Sequence, residues 1–160
     1  MSVEGVITRE SQAGPAATAE RLAAAVSARG LTLFARIDHA AGAAALGLAL
    51  RPTQLLIFGN ARGGTPLMQA QQLFGMDLPL RALVWQDETL RTWVSCPDPH
   101  WLAQRYGLAG AAAQAAATLA AALEALVGQA ITPAADSEID AELQETFPAS
   151  DPLPWSHDTR

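Results

Sequence analysis

"LLIFGNARGGTPLMQAQQLFG", Leu55–Gly75, is the stretch on which the fold turns. Leu55 to Phe58 are four consecutive large apolar residues, a run that suits a central strand covered on both faces. Gly59 ends the run, and the glycine-rich segment Gly59–Thr65 reads as a turn. "PLMQAQQLFG" then reads as a helix, with Thr65 as its N-cap and Pro66 at its first position. Leu67, Ala70, Leu73 and Phe74 fall on one side of that helix. The question is whether the turn holds an anion or only carries the chain from strand to helix.

The neighbouring segments repeat this alternation. Residues near Gly5 to Glu10 look like a first strand. "GPAATAERLAAAVSARG" reads as a helix with Pro15 at N1, Arg29 near its C-terminus and Gly30 as the C′ residue. "LTLFARIDH" alternates, with Leu33, Ala35 and Ile37 on one face and Phe34, Arg36 and Asp38 on the other. "AAGAAALGLAL" predicts a short helix ending before Pro52. "LRALVWQDETLRTWVSC" predicts a hairpin turning near Asp87–Glu88–Thr89, without the usual glycine or asparagine. "PDPHWLAQRYGL" begins with prolines and then places Trp101, Leu102 and Tyr106 at helical spacing. The expected fold class is therefore α/β (α+β), a two-layer sandwich in which a mixed β-sheet of about five strands packs against helices. The domain is expected to span residues 1–128, including an Ala-rich C-terminal helix. Residues 129–160 read as an acidic, proline-containing tail, with "DSEIDAELQET" a short helix capped by Asp136 or Ser137.

Composition narrows the function. Half the residues are hydrophobic, the formal net charge is −6 and there is no lysine among the 10 basic residues. Ten scattered arginines do not make the clustered positive surface that a phosphate backbone requires, so no nucleic-acid partner is expected. Ala109–Gly128 is long enough to span a bilayer, but it is mostly alanine, contains Gln114, Thr118 and Glu124, and lacks a basic flank. It is read as a soluble helix, with no membrane partner. The lone Cys96 suits a reducing compartment, and "MSVEGVITRE" carries no secretory pattern, so a cytoplasmic protein is expected.

Each polar candidate has a chemical and a structural reading. Gly59 and Gly64 have phosphate-loop spacing, but Thr65 and Pro66 stand where lysine and Ser or Thr are needed, which removes nucleotide hydrolysis. What survives is an anion at a helix start, contacted by Asn60, Arg62, Gly64 and Thr65. The competing reading gives the glycines positive φ and Thr65 a capping role. Asp38 and His39 are the catalytic candidates, as base or ligand, against a capping Asp and a packed or surface His. The only histidines are His39, His100 and His157, with no metal-binding spacing, so no metal is expected and no cofactor is named. Cys96 reads as a buried inert thiol, Asp98–His100 as a helix cap, Trp85, Trp93 and Trp101 as core or interface, and Trp155 as an anchor for the tail.

"FARIDHAAGA", "LLIFGNARGGTPLM", "DLPLRALVWQDE" and "YGL", in this order and spacing, resemble the domain-of-unknown-function family number 302 over roughly residues 5–110. The resemblance implies a compact α/β domain that tends to dimerise, and no established reaction. Ala61 stands where the family turn usually has proline, Cys96 and Pro97 where it often has tyrosine and asparagine, and Tyr106 where histidine is common. The tail resembles an FPASDP segment that recurs in small bacterial proteins, so a bacterial source is implied. Two function classes remain: a domain binding a small anionic molecule at the strand ends near Asp38, His39 and the Gly59–Thr65 turn, or a non-enzymatic homodimeric or interaction module whose interface is the Ala-rich helix and tail.

Overall fold

Strand pairing in the computed structural model, which describes residues 2–133, is antiparallel at every step. The strands are β1 (Val6–Ser11), β2 (Thr32–Asp38), β3 (Thr53–Gly59), β4 (Leu80–Gln86) and β5 (Thr92–Pro97), in the sheet order β1-β5-β4-β3-β2. The sandwich and its five strands are as expected, but the sheet is not mixed. Helix α1 (Pro15–Ala28) carries the chain from one sheet edge to the other, so β1 and β2 never meet. The short helix α2 (His39–Ala45) leads from β2 back into its neighbour β3 and acts as a long turn.

Alternation along β2 breaks at a β-bulge. Leu33 pairs with Phe58 and Ala35 with Ile57, which leaves Phe34 as an extra residue. Leu33 therefore joins the core, while Ala35 and Ile37 line up with Ile57 and Leu55 on the opposite face. The single face expected for Leu33, Ala35 and Ile37 does not form.

One face of the sheet is covered by α1 and α5 (Gly110–Ile131). Leu56 and Phe58 of β3, Ala82 and Val84 of β4, and Val94 and Cys96 of β5 meet Leu22 and Val26 of α1 and Leu123, Leu126, Val127 and Ala130 of α5. Full burial of a side chain such as Leu56 or Phe58 contributes about 1.5–3 kcal/mol. A second cluster joins Leu67 of α3 (Ala61–Ala70), Phe74 of the following 3-10 turn (Gln72–Asp77), Leu102 and Ala103 of α4 (Pro99–Arg105), and Ala116 of α5. α5 is long and apolar enough to cross a membrane by length and composition, yet here it supplies five buried residues to these two clusters. Its C-terminus is tied down: Gln12 N–H donates to the Ile131 carbonyl at 3.1 Å, beside a buried Ser11–Thr18 hydroxyl pair at 2.7 Å. The segment read as a capped tail helix, and Trp155, lie outside the described residues.

α1 ends as its sequence dictates: Gly30 has φ +67° and the Leu31 N–H returns to the Val26 carbonyl. The β4–β5 hairpin solves its missing glycine differently. The Asp87 carboxylate accepts from Thr89 N–H, Thr89 Oγ1, Arg91 N–H and Trp93 Nε1. Desolvation acts to raise this carboxyl, but the hydrogen bonds from Thr89, Trp93 and Arg91 outweigh it and hold the pKa at about 2, below the ordinary 3.8. Leu90 takes φ +66° there, exposed to solvent.

Leu90→Gly is expected to raise stability by about 1 kcal/mol, because leucine pays for a left-handed conformation that glycine adopts freely. Asp87→Ala is expected to lower the urea midpoint at pH 6. Because the folded pKa is depressed, the wild-type advantage is complete above 3.8 and fades as pH falls toward about 2. Urea melts of both proteins across that range check the sign.

Candidate functional site

Helix α3 begins five residues earlier than its proline suggests. Asn60, extended at φ −151° and ψ 162°, is the N-cap, and its Oδ1 accepts from Gly63 N–H at 2.9 Å. Thr65 is an exposed residue within the helix and Pro66 also lies inside it. The expected Thr65 cap is thus replaced by an equally good asparagine cap. Gly63 and Gly64 are helical and serve close packing. A Cβ on Gly64 would stand 3.0 Å from Leu78, and one on Gly63 3.2 Å from Leu119. The helix also stops earlier than expected, at Ala70. Gln71 is extended, and Leu73 is exposed on the 3-10 turn while Phe74 is buried.

A cavity of about 310 Å³ opens beside this helix start, where β3 ends. Its walls come from five places: Leu31 and Phe34 around the start of β2, Gly59 to Ala61 with Gly63 and Gly64, Met68 and Gly75, Leu78 to Leu80, and Leu119, Ala122 and Leu126 of α5. The lining is overwhelmingly aliphatic. Asn60 and Ala61 are exposed at its rim, whereas Leu126 is fully buried. Gly63 and Gly64 let α3 approach α5 and Leu78 closely, which shapes this wall. Of the expected ligand residues, Asn60 and Gly64 line the cavity; Arg62 and Thr65 are exposed and do not.

Asp38 and His39 lie elsewhere. Asp38 pairs with Gln54 at the start of β3, whereas Gly59 at its end pairs with Thr32. The length of β3 therefore separates them from Asn60, roughly 17–20 Å at the rise of an antiparallel strand. Asp38 is an exposed cap, accepting from Ala41 N–H at 2.9 Å, and His39 is exposed. The two candidate centres do not gather into one site.

The remaining polar candidates have structural partners. Asp98 caps α4 through His100 N–H. Cys96 is buried against the helices, and desolvation, with Asp98 adding to it and Arg9 opposing, pushes its thiol up to about 11, the reverse of an activated nucleophile. The Tyr106 hydroxyl donates to Asp77, which also pairs with Arg81 at 3.1 Å; that hydrogen bond, with burial, raises the phenol pKa. Among the described residues no three of His, Cys, Asp and Glu cluster as metal ligands. What sequence reading misses is the aliphatic wall. Its residues are scattered from Leu31 to Leu126, and no local pattern joins them.

Residues 7–126 match the family model described as domain of unknown function DUF302, and the chain belongs to that family. The crystal structure of an uncharacterized conserved DUF302 protein from Bacillus stearothermophilus superposes with a TM-score of 0.71 at 21% identity, covering 80% of this chain and 99% of that one. At that identity the likeness concerns the fold. The chain is also 49% identical over 104 residues to proteins named fluoride-specific ion channel FluC 1 in Brucella suis and FluC 2 in Brucella melitensis. The match takes in 65% of this chain but only 41% and 38% of those proteins, so the chain spans about two fifths of their length.

If Asn60 is the cap, Asn60→Ala is expected to cost about 1 kcal/mol and Thr65→Ala to stay within about 0.5 kcal/mol of wild type. Thermal and urea melts of the two variants distinguish the caps, since a Thr65 cap would reverse the order.

Proposed function

We propose that this member of the DUF302 family is a small-molecule-binding domain. Its ligand inserts an apolar body into the cavity between α3, α5 and β3 and leaves its polar or anionic end at the Asn60–Ala61 rim. The observation that carries this is a solvent-open cavity with nearly all-aliphatic walls, the usual character of a small-ligand site. Its volume is about that of ten water molecules. Asn60 Oδ1 takes the Gly63 amide, which leaves the Ala61 and Arg62 amides of the first turn of α3 to favour a negative group at the rim. The anion expected from sequence thus becomes one end of an amphipathic molecule. Asp38 and His39 have no part in it, and no reaction is assigned.

The fluoride-channel relatives bear on this only through their length. We infer that the shared portion is an accessory domain of those proteins, with conduction in the part that this chain does not match. Aliphatic walls offer a bare fluoride ion little to replace its hydration.

Isothermal titration with octanol, octanoate and inorganic phosphate tests the reading. Both eight-carbon compounds are expected to bind with dissociation constants on the order of 0.1 mM, octanoate the tighter. Ala122→Phe, which fills the cavity, is expected to weaken both about tenfold or more. Phosphate binding without either chain compound would overturn the apolar reading, as would the absence of all three.

A further inference from the structure

The helix layer stops short of the edge strand β1. Ile7, Arg9 and Ser11 stand opposite Cys96, Val94 and Thr92, which are all buried, so these side chains of β1 point toward the helices and not toward the open face of the sheet. Only Ser11, beside the end of α5, is buried there; Ile7 is half-buried and Arg9 is exposed. Between β1 and α5 runs a groove of about 510 Å³, larger than the cavity beside α3. Ala117, Ala120, Ala121 and Gly128 of α5 line it, and side chains this small let a second helix approach closely. A Cβ on Gly128 would meet nothing within 4 Å. Leu119, Ala122 and Leu126, on another side of the same helix, line the first cavity, so the two spaces share no residue.

The chain leaves α5 at one end of this groove. Ile131, the last residue of α5, lines it, and Arg21 Nη1 donates to the Thr132 carbonyl at 3.1 Å, which fixes the exit point against α1. Pro133 follows as a helix stop. Beyond it, residues 136–147 read "DSEIDAELQETF", with Asp136 and Ser137 as starting caps, no glycine or proline inside, and Pro148 next. Ile139, Leu143 and Phe147 recur every four residues, a narrow apolar stripe, and Glu138, Glu142 and Glu145 flank it on one side. A helix of that length is marginal alone and needs a surface for its stripe. At ordinary helical rise it measures about 16 Å, against about 21 Å of α5 from Ile131 back to Ala117. Residues 132–135 are a connection of the length that joins antiparallel helices.

We propose that residues 136–147 dock in this groove as a third helix of the layer, antiparallel to α5. Ile139 and Leu143 pack against Ile7 and the small residues of α5, and the Arg9 guanidinium meets the acidic flank. Arg9 has donors to spare: its one ion pair, with Glu124 across the groove, is 3.7 Å long, and both side chains are more than half exposed. The tether selects this occupant over a separate partner. A segment attached at the groove's own end is present at an effective concentration on the order of millimolar, which a free protein does not match.

Hydrogen–deuterium exchange of the full chain tests it. Amides of residues 140–146 are expected to exchange about tenfold or more below the rate of an unstructured chain. Leu143→Asp in the segment and Ala121→Glu in the groove are each expected to abolish that protection, while the strand amides of Leu56 and Val94 keep theirs. Thr118→Glu, exposed on α5 outside the groove, is expected to change nothing. Leu143→Asp leaves every described residue as it is, so its effect does not depend on how the body tolerates Ala121→Glu. Unprotected amides in the wild type overturn the proposal. Protection that survives Ala121→Glu overturns it by placing the segment elsewhere, and protection that falls on dilution from roughly 100 µM to roughly 1 µM overturns it by assigning the groove to a segment from another molecule.

Discussion

Everything in this molecule hangs on the antiparallel register of β2 against β3, with Thr32 opposite Gly59 and Asp38 opposite Gln54. That pairing decides which loops share an end of the sheet. It brings Leu31 and Phe34 beside the start of α3 and closes one wall of the cavity. It sends Asp38 and His39 to the far end. It also fixes, through the bulge at Phe34, which side chains of the edge strand enter the core and which join the open face. A one-residue slip would exchange those two sets, so the single extra residue at the bulge determines which side chains each face receives.

The elements with strong local signals were legible in the sequence. The apolar run Leu55–Phe58 is a central strand, though only Leu56 and Phe58 are buried and the face of Leu55 and Ile57 is not covered as expected; Pro15 and Gly30 bracket α1, and prolines open α4. What escaped was set by tertiary packing. Gly63 and Gly64 read as a turn because glycine is a poor helix former, yet they are helical, because α3 must lie close to Leu119 and Leu78. Strand direction escaped because a strand–helix–strand order says nothing about which edge the next strand joins. α1 crosses to the far edge and α2 hardly travels, and both read alike as helices between strands.

The candidate site was legible only in part, for the same reason. Asn60 and Gly64 were identified because turn chemistry is local. The rest of the cavity consists mostly of leucines, glycines and alanines, with Phe34, Met68 and Pro79, drawn from most of the chain, which no sequence pattern marks as a group. Arg62 and Asp38 attracted attention as charged residues near strand ends, but charge alone does not say where a side chain faces. Aliphatic sites are quiet in a sequence and conspicuous in a fold, whereas isolated charges are the opposite.

The position of β1 has a consequence for how the chain is made. Thr8 meets Ser95, 87 residues later, so the first strand has no partner until the last hairpin exists. At ordinary synthesis rates that interval is roughly 4–17 s, during which a strand edge is open to misplaced pairing. "VITRES" is built for such a wait. Only Val6 and Ile7 are apolar, Arg9 and Glu10 follow them, and charges on an edge are what deter a strand from recruiting the wrong neighbour. The weakest-looking strand in the sequence is thus the one that must remain harmless longest before it closes the sheet.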